Sequence, residues 1–388
     1  MVRFLHTSDW QLGMTRHFLE GEAQARYTGA RIDAIRSVAD VARREGCEFV
    51  VVAGDVFESS LVATQTVRRA LEAMGSIDVP VYLLPGNHDP LDAVSVYSSR
   101  VFAAARPENV VVLDTPGLHE VAPGVELVAA PWFSKEPLSD LLADALAGLG
   151  PADGVRIAVG HGALDVLDPD ESSVRSIGLA GLQRALADGV VHYVALGDKH
   201  TRLGVGEAVH YSGSPEVTSF REEQPGDVLV VDVSAGAPPV LTPHHVGTWS
   251  FVSVQAQVEG AADIDALDEE LGALAPKDRT VVRTALQGTL TLADKARLDT
   301  LLDAYDDAFA ARITWSSHDD IAVVVGDELT DLGVGGFVDH VVDRLAAQAG
   351  VGGAAGPGPA GAGSAGDEAG TARDALSLLY RLAKGPAA

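Results

Sequence analysis

The sequence is short of several things, and each shortage excludes a class of protein. A single cysteine among 388 residues, Cys47, rules out an internal disulfide. No apolar run approaches the roughly 18 residues that a membrane helix needs, and the opening stretch reaches Ser8 and Asp9 too soon for a secretory signal. These absences predict a soluble, cytoplasmic protein with no membrane partner. Basic side chains are scarce too: 28 Lys and Arg stand against 55 Asp and Glu, a net charge of −27. Such a field repels polyphosphates, and no basic stripe of the kind that displaces counterions from nucleic acid stands out. A DNA partner would have to be met through bound cations or a basic second protein; the other meaning of the acidity is solubility in a crowded or salty cytoplasm.

What is present is ample apolar material, 47% of residues, enough for two or three domains. Over the first 235 or so residues, short apolar runs alternate with helical patterns, as a sheet covered on both faces requires. The runs Val2–His6, Phe49–Ala53, Val79–Leu84, Glu126–Ala130, Val155–Val159 and Val191–Leu196 are predicted strands, and Ile32, Ile35, Val38 and Val41 recur at helical spacing. The fold class expected is α/β, a layered sandwich of β-sheets flanked by helices. From Phe251 a strand–helix alternation restarts. Phe251–Val258, Thr280–Leu286 and Arg312–Trp315 read as strands; Ile264, Leu267, Leu271 and Leu274, and then Leu298, Leu301, Leu302 and Tyr305, read as helical faces. The expected organisation is a main domain over 1–245, a smaller α/β capping domain over 246–330, and an amphipathic helix over 331–349 carrying Val338, Val341, Val342 and Leu345. A Gly-rich linker over 350–370, with a reach of roughly 25 Å as a flexible coil, leads to a terminal helix over 371–388. That helix groups Leu376, Leu379, Tyr380 and Ala383, widened by Leu378 and Leu382. It either folds back on its own second domain or docks in a partner's groove.

Polar, metal-capable residues follow five of the predicted strands: Asp9-Trp10-Gln11, Gly54-Asp55, Gly86-Asn87-His88-Asp89, Gly160-His161-Gly162 and Gly197-Asp198-Lys199-His200. Open α/β sheets place their ligand sites at strand exits. Singly, each cluster has a plain structural explanation, Asp9 or Asp55 capping a helix and His161 a satisfied core histidine. Together, carboxylates, an amide and histidines around one crevice are what a pair of divalent cations needs to clamp a phosphoryl group and activate water. The cations also neutralise the carboxylates where a phosphate ester must approach.

These clusters resemble the calcineurin-like metallophosphoesterase superfamily, and within it the SbcD-type nuclease subunits of DNA double-strand-break repair complexes. Tyr211-Ser212-Gly213-Ser214-Pro215-Glu216 is similar to a segment that follows the last ligand there. The resemblance covers the chain to about Phe220 and, more loosely, the second domain and terminal helix. It implies that Asp9, Asp55 and His200 hold one metal and that Asp55 bridges to a second held by Asn87 and His161. It implies that His88 faces the scissile phosphate, to stabilise its charge or protonate the leaving oxygen. Asp89 would either orient that ring or cap a turn. The resemblance departs at two positions, where Gln11 and Asp198 stand in place of histidine ligands. One change falls on each metal, and the added oxygen donors favour Mn²⁺ or Mg²⁺ over zinc.

The function expected is two-metal phosphodiester hydrolysis by a DNA exonuclease or endonuclease subunit, with Mn²⁺ as the first candidate metal and Mg²⁺ or Fe²⁺ behind it. The partners implied are DNA, an SbcC-like coiled-coil ATPase docked on the terminal helix, and a second nuclease subunit in a homodimer. Two alternatives stay open: a small-molecule phosphodiesterase or phosphatase, or a catalytically weakened scaffold of the same complex, motivated by Gln11 and Asp198. Arg16 and His17 either touch a DNA backbone or form a plain surface loop. Lys199 and Arg202 flank the last cluster and are candidates to attract phosphate, whereas His244 and His245 are expected to be structural.

Overall fold

The computed structural model of the chain describes residues 1–168, 173, 175–324, 337–349 and, near the C-terminus, 371, 372, 375, 376, 378, 379 and 382. It divides into two compact units, Met1–Ser250 and Phe251–Ala388.

In the first unit the strands run β1 (Val2–Thr7), β2 (Val50–Val52), β3 (Val81–Leu83), β4 (Val110–Val112), β5 (Gly117–Ala122), β6 (Val125–Ala129), β7 (Val155–His161), β8 (Tyr193–Gly197), β9 (Leu203–Gly204), β10 (Val209–Tyr211), β11 (Asp227–Ser234) and β12 (Ala237–His245). Its helices are α1 (Gly21–Glu45), α2 (Thr64–Met74), α3 (Arg100–Ala105), α4 (Leu141–Leu146) and α5 (Leu179–Ala187). Two six-stranded sheets result, ordered β12-β11-β1-β2-β3-β4 and β5-β6-β7-β8-β10-β9. β1 through β4 are mutually parallel, as are β6, β7, β8 and β10, while β5, β9, β11 and β12 close the edges antiparallel.

Strand parity explains the layering, because alternate side chains point to opposite faces. Phe49, Val51 and Ala53 meet Leu127, Ala129, Ile157, Val159 and Ala195 in the core between the two sheets. Val50 and Val52 point the other way, onto Ile32, Ile35 and Val38 of α1 and Val67, Ala70 and Leu71 of α2. The far face of the second sheet is covered in the same manner: Val128, Ala158, Val194 and Leu196 pack with Leu142 of α4 and Leu182 of α5. A helix–sheet–sheet–helix sandwich follows. Both faces of each sheet are buried, which is why the central strands carry continuous apolar runs rather than alternating ones. α1 ends where Gly46 takes a left-handed φ of 69° that a side chain would oppose, and its N–H closes the last turn.

The second unit contains β13 (Ser250–Gln257), α6 (Ala261–Ala273), β14 (Thr280–Thr291), α7 (Leu292–Asp306), β15 (Ala311–Thr314), β16 (Asp320–Val324) and α8 (Phe337–Gln348). The long β14 pairs with β15 along Val281–Thr284 and with β16 along Gln287–Thr291, both parallel. Ile264, Leu267 and Leu271 of α6 and Leu298 of α7 bury against Val254, Val282 and Leu286. Of the two placements open for the terminal helix, the described residues show the folded-back one: Ala372 and Leu376 are buried with Leu292, Val342 and Ala349, and Leu379 packs against them. Leu378 and Leu382 stay 48% and 73% exposed. The expected linker, Tyr380 and Ala383 lie outside the described residues. Among the described residues no helix is long and apolar enough to cross a membrane.

Candidate metal centre

All five clusters come off the ends of parallel strands: β1, β2 and β3 of the first sheet, β7 and β8 of the second. After β1 and β2 end, their exit loops stay zipped together, Asp9 N–H donating to Gly54 O at 3.0 Å, Gln11 N–H to Asp55 O at 3.0 Å and Leu12 N–H to Val56 O at 2.9 Å. This pairing holds Asp9, Gln11 and Asp55 at φ of 53°, 49° and 53°; Asp198 sits at 103°. Those four are the non-glycine residues of positive φ among the described ones. Such backbone costs on the order of 1 kcal/mol or more per residue and clusters at functional sites. Here it turns the side chains of Asp9, Gln11 and Asp55 out of the strand direction and into one crevice, and aims the Asp198 N–H at Asp9.

The side chains interlock. Gln11 Nε2 donates to Asp55 Oδ2 at 2.9 Å, and the His88 N–H to Asp55 Oδ1 at 2.9 Å. His161 Nε2 lies 2.8 Å from Asn87 Oδ1 and 3.4 Å from Asp55 Oδ1. His200 Nε2 is 3.7 Å from Asp9 Oδ1. The Asp198 N–H reaches both Asp9 oxygens at 3.1 Å, while its half-buried carboxylate lies 3.7 Å from Lys199 Nζ. Asp198 thus meets the cluster through its backbone. Asp9, Asp55 and His161, all buried, offer ligand atoms within 4.8 Å of one another.

Three observations fit this site to divalent cations. Gln11 Oε1 is buried without a hydrogen-bond partner among the described residues, which costs about 1–3 kcal/mol unless something positive fills the gap. His161 Nδ1 donates to the Ala53 carbonyl at 2.9 Å, so in the neutral ring Nε2 is a lone pair, yet it faces the oxygens of Asn87 and Asp55. Lone pairs converge there unless a proton or a metal ion sits between them. Glycines also leave the room that the ligands occupy: a Cβ on Gly86 would lie 2.3 Å from Asp55 Oδ1, and one on Gly54 2.0 Å from His161 Nδ1. The titration behaviour agrees. Burial lowers the His161 pKa, but Asp55, Asp9 and Asp198 outweigh it and hold the ring well above its ordinary value. Burial raises Asp9. It acts the same way on Asp55, where the charges of His161 and His88 win and hold the carboxyl below its usual range.

His88 is held differently. Its Nδ1 donates to the Glu58 carbonyl at 2.8 Å, leaving a 39% exposed ring whose Nε2 lies 3.9 Å from Asp55 Oδ2. Asp89 spends its oxygens elsewhere, accepting from Gly86 N–H at 2.8 Å, Phe57 N–H at 3.0 Å and the Tyr97 hydroxyl at 2.6 Å. Of its two expected roles the structure displays the turn-fixing one, and a backbone carbonyl does the orienting of His88. Arg16 donates to the Thr218 carbonyl, and Arg202 pairs with Asp227 at 2.9 Å. His245 also pairs with Asp227, at 3.0 Å, and His244 accepts from Arg44 at 3.2 Å.

Several supporting residues escape sequence reasoning. Ser8 Oγ donates to Asp9 Oδ2 at 2.6 Å. His200 Nδ1 donates to Thr218 Oγ1 at 2.6 Å, and the Thr218 hydroxyl donates in turn to the Glu222 carboxylate. Trp132 Nε1 donates to the His161 carbonyl at 2.8 Å. Arg31, buried, links the Trp10 carbonyl at 2.8 Å to the Val217 carbonyl at 3.1 Å, tying the first ligand loop to the segment that carries Thr218. Thr218 follows two residues after the Tyr211–Glu216 segment, which was the available signal.

Residues 2–235 match the calcineurin-like phosphoesterase family. The chain belongs to that family, and its first unit is accordingly built to hydrolyse phosphoesters with divalent metal. Among curated relatives it is 27% identical over 275 residues to the SbcD component of the nuclease SbcCD of Bacillus subtilis, covering 61% of this chain and 67% of that one. It is 26% identical over 233 residues to the DNA double-strand break repair protein Mre11 of Saccharolobus solfataricus, covering 58% of this chain and 56% of that one. A crystal structure of a dimetal phosphatase from Danio rerio aligns at 13% identity and a TM-score of 0.39, over 62% of this chain and 98% of the other.

Proposed function

We propose that this chain is the nuclease subunit of a DNA double-strand-break repair complex, hydrolysing DNA phosphodiesters with two divalent cations, Mn²⁺ foremost. The observation that carries the reading is the convergence on Asp55 of groups from three other strand exits, the Gln11 and His161 side chains and the His88 N–H, with the Gln11 carbonyl oxygen buried and unpartnered among the described residues. The step from phosphoester to DNA is supported by the two relatives named for nuclease and break-repair work.

Asp9, Gln11, Asp55, Asn87, His161, Asp198 and His200 would hold the cations, with Asp55 shared. Once bound, such ions place positive charge against the phosphoryl oxygens and activate a water for in-line attack. The chain's own residues do the rest. The Glu58 carbonyl fixes the His88 Nδ1 proton, so a proton carried on Nε2 is the one available to the leaving oxygen. Thr218 and Glu222 fix the His200 tautomer from behind, leaving Nε2 toward Asp9. The second unit would help position DNA, and the exposed Leu378 and Leu382 are the faces left to a coiled-coil ATPase. That ATPase would supply the basic surface that a chain of net charge −27 lacks. Assembly as a dimer in a cytoplasmic complex belongs to the same proposal.

The acidity favours one rival, a phosphodiesterase for small substrates. Gln11 and Asp198 do not favour the lapsed scaffold, since both keep oxygen donors at the crevice. The test is hydrolysis of linear duplex DNA, single-stranded DNA and a chromogenic phosphodiester with Mn²⁺. Cleavage of both DNAs that Asp55→Ala removes is expected. Turnover of the small ester alone would install the rival, and inertness toward all three with Mn²⁺, Mg²⁺ and Fe²⁺ would overturn the enzyme reading.

A further inference from the structure

A cavity of about 200 Å³ opens directly beside the centre, walled by Asn87 and Asp198 on the ligand side and by Trp132, Lys135, Arg175 and Ser176 beyond. Its construction is uneven. Trp132 is 7% exposed and pinned by its indole N–H to the His161 carbonyl, so an apolar wall is fixed to a ligand strand. Lys135 and Arg175 are exposed, and among the described residues neither has a carboxylate within ion-pairing distance. Of the acids at the wall, Asp168 accepts from the Ser176 hydroxyl and Asp198 lies at 3.7 Å from Lys199. Two cations lining one cavity with an indole, neither paired within the described residues, stand out in a chain of net charge −27. They share this cavity with Asn87 and Asp198 of the ligand clusters.

We propose that this cavity is a nucleotide subsite: it takes the nucleotide unit adjoining the scissile phosphate, its base and sugar along Trp132 and its distal phosphate on Lys135 and Arg175. The inference rests on the phosphodiesterase reading and adds to it the residues that select a polynucleotide. Phosphate contacts of this kind position the chain without reading its sequence, so the subsite accepts any base. It also prefers a substrate with a second phosphate, which a small phosphodiester does not carry.

The experiment is calorimetric titration of the full chain with thymidine 3′,5′-bisphosphate, thymidine 5′-monophosphate, thymidine 3′-monophosphate and inorganic phosphate, each with and without Mn²⁺. The bisphosphate is expected to bind at least tenfold more tightly than either monophosphate. That advantage should disappear in a Lys135→Ala/Arg175→Ala double variant, whose surface positions leave folding intact by circular dichroism. Equal affinity for bisphosphate and monophosphates, or an advantage that survives the double substitution, overturns the subsite. The hydrolysis assays separate the two proposals. Active enzyme without the bisphosphate preference sinks the subsite alone, and inert enzyme that keeps a Lys135- and Arg175-dependent preference retains the subsite while the hydrolase reading falls.

Discussion

Gln11 gives one end of its amide to Asp55 Oδ2 at 2.9 Å and buries the other end, Oε1, against no partner among the described residues. A buried carbonyl oxygen left in this state is destabilising by about 1–3 kcal/mol, so the side chain is placed for something other than the stability of the metal-free fold. Gln11→Leu is therefore expected to leave the metal-free melting temperature nearly unchanged or slightly raised. The same variant should lose most of the stabilisation that Mn²⁺ confers, with affinity weakened about 10- to 100-fold, the range seen when groups around a metal are removed. Thermal melts across a Mn²⁺ series read both quantities; a variant that melts early yet keeps its Mn²⁺ response would mean that Gln11 is a packing residue.

His88 stands apart from the ligand set because its Nδ1 is committed to the Glu58 carbonyl and its ring is the more exposed one. His88→Ala should reduce turnover on DNA by about 10²- to 10⁴-fold, the usual worth of a positioned proton donor, while metal content by mass spectrometry stays at the wild-type value. His161→Ala, by contrast, should lose metal and turnover together. If His88→Ala also loses metal, His88 is a ligand and the proton-donor role is wrong.

The hydroxyl of Thr218 sits between His200 and Glu222, relaying an orienting hydrogen bond to a ring that faces Asp9. Thr218→Val keeps the volume and removes the relay. Mn²⁺ affinity should fall about tenfold or more, and Thr218→Ser should restore most of it. Failure of serine to rescue would assign the effect to packing.

Thr218 also marks where the sequence stops being legible. The strands that carry the five clusters could be read from composition, since both faces of each sheet are buried and Val50–Val52 or Tyr193–Gly197 therefore appear as unbroken apolar runs. The clusters could be read as well, because glycine beside acid or histidine at a strand exit is a local pattern. Strands with one wet face left weaker traces. β5 alternates half-buried and exposed residues, and β12 carries Pro238, Pro239 and Pro243, so neither stands out as a strand. Contacts such as His200 with Thr218 and Glu222, or Arg31 with Trp10 and Val217, depend on loops meeting in space, and no spacing along the chain encodes them. The role of Asp89 turned on the same thing: only the fold shows Phe57 and Tyr97 taking the oxygens that would otherwise be free for His88.

Away from the metal centre, His6 offers a test of the sandwich itself. It lies fully buried on β1, its Nδ1 3.1 Å from the Tyr193 hydroxyl and its Nε2 3.2 Å from the Leu196 carbonyl, so it joins the two sheets. Burial, reinforced by neighbouring His210, pushes its pKa down to about 3. The folded protein thus keeps His6 neutral at a pH where the unfolded chain, with an ordinary imidazole near 6.5, takes up a proton. Stability is fully present above about pH 6.5 and drains away as the pH falls toward 3, because the unfolded state binds more protons throughout that window. Between pH 7 and pH 4.5 this one group should remove on the order of 2–3 kcal/mol. His6→Gln, which keeps a polar side chain but cannot titrate, should lower stability at pH 7 and flatten the acid slope by that amount. Urea unfolding of metal-free protein at the two pH values gives the comparison; parallel losses in wild type and variant would show that His6 is already protonated in the folded state or that water reaches it.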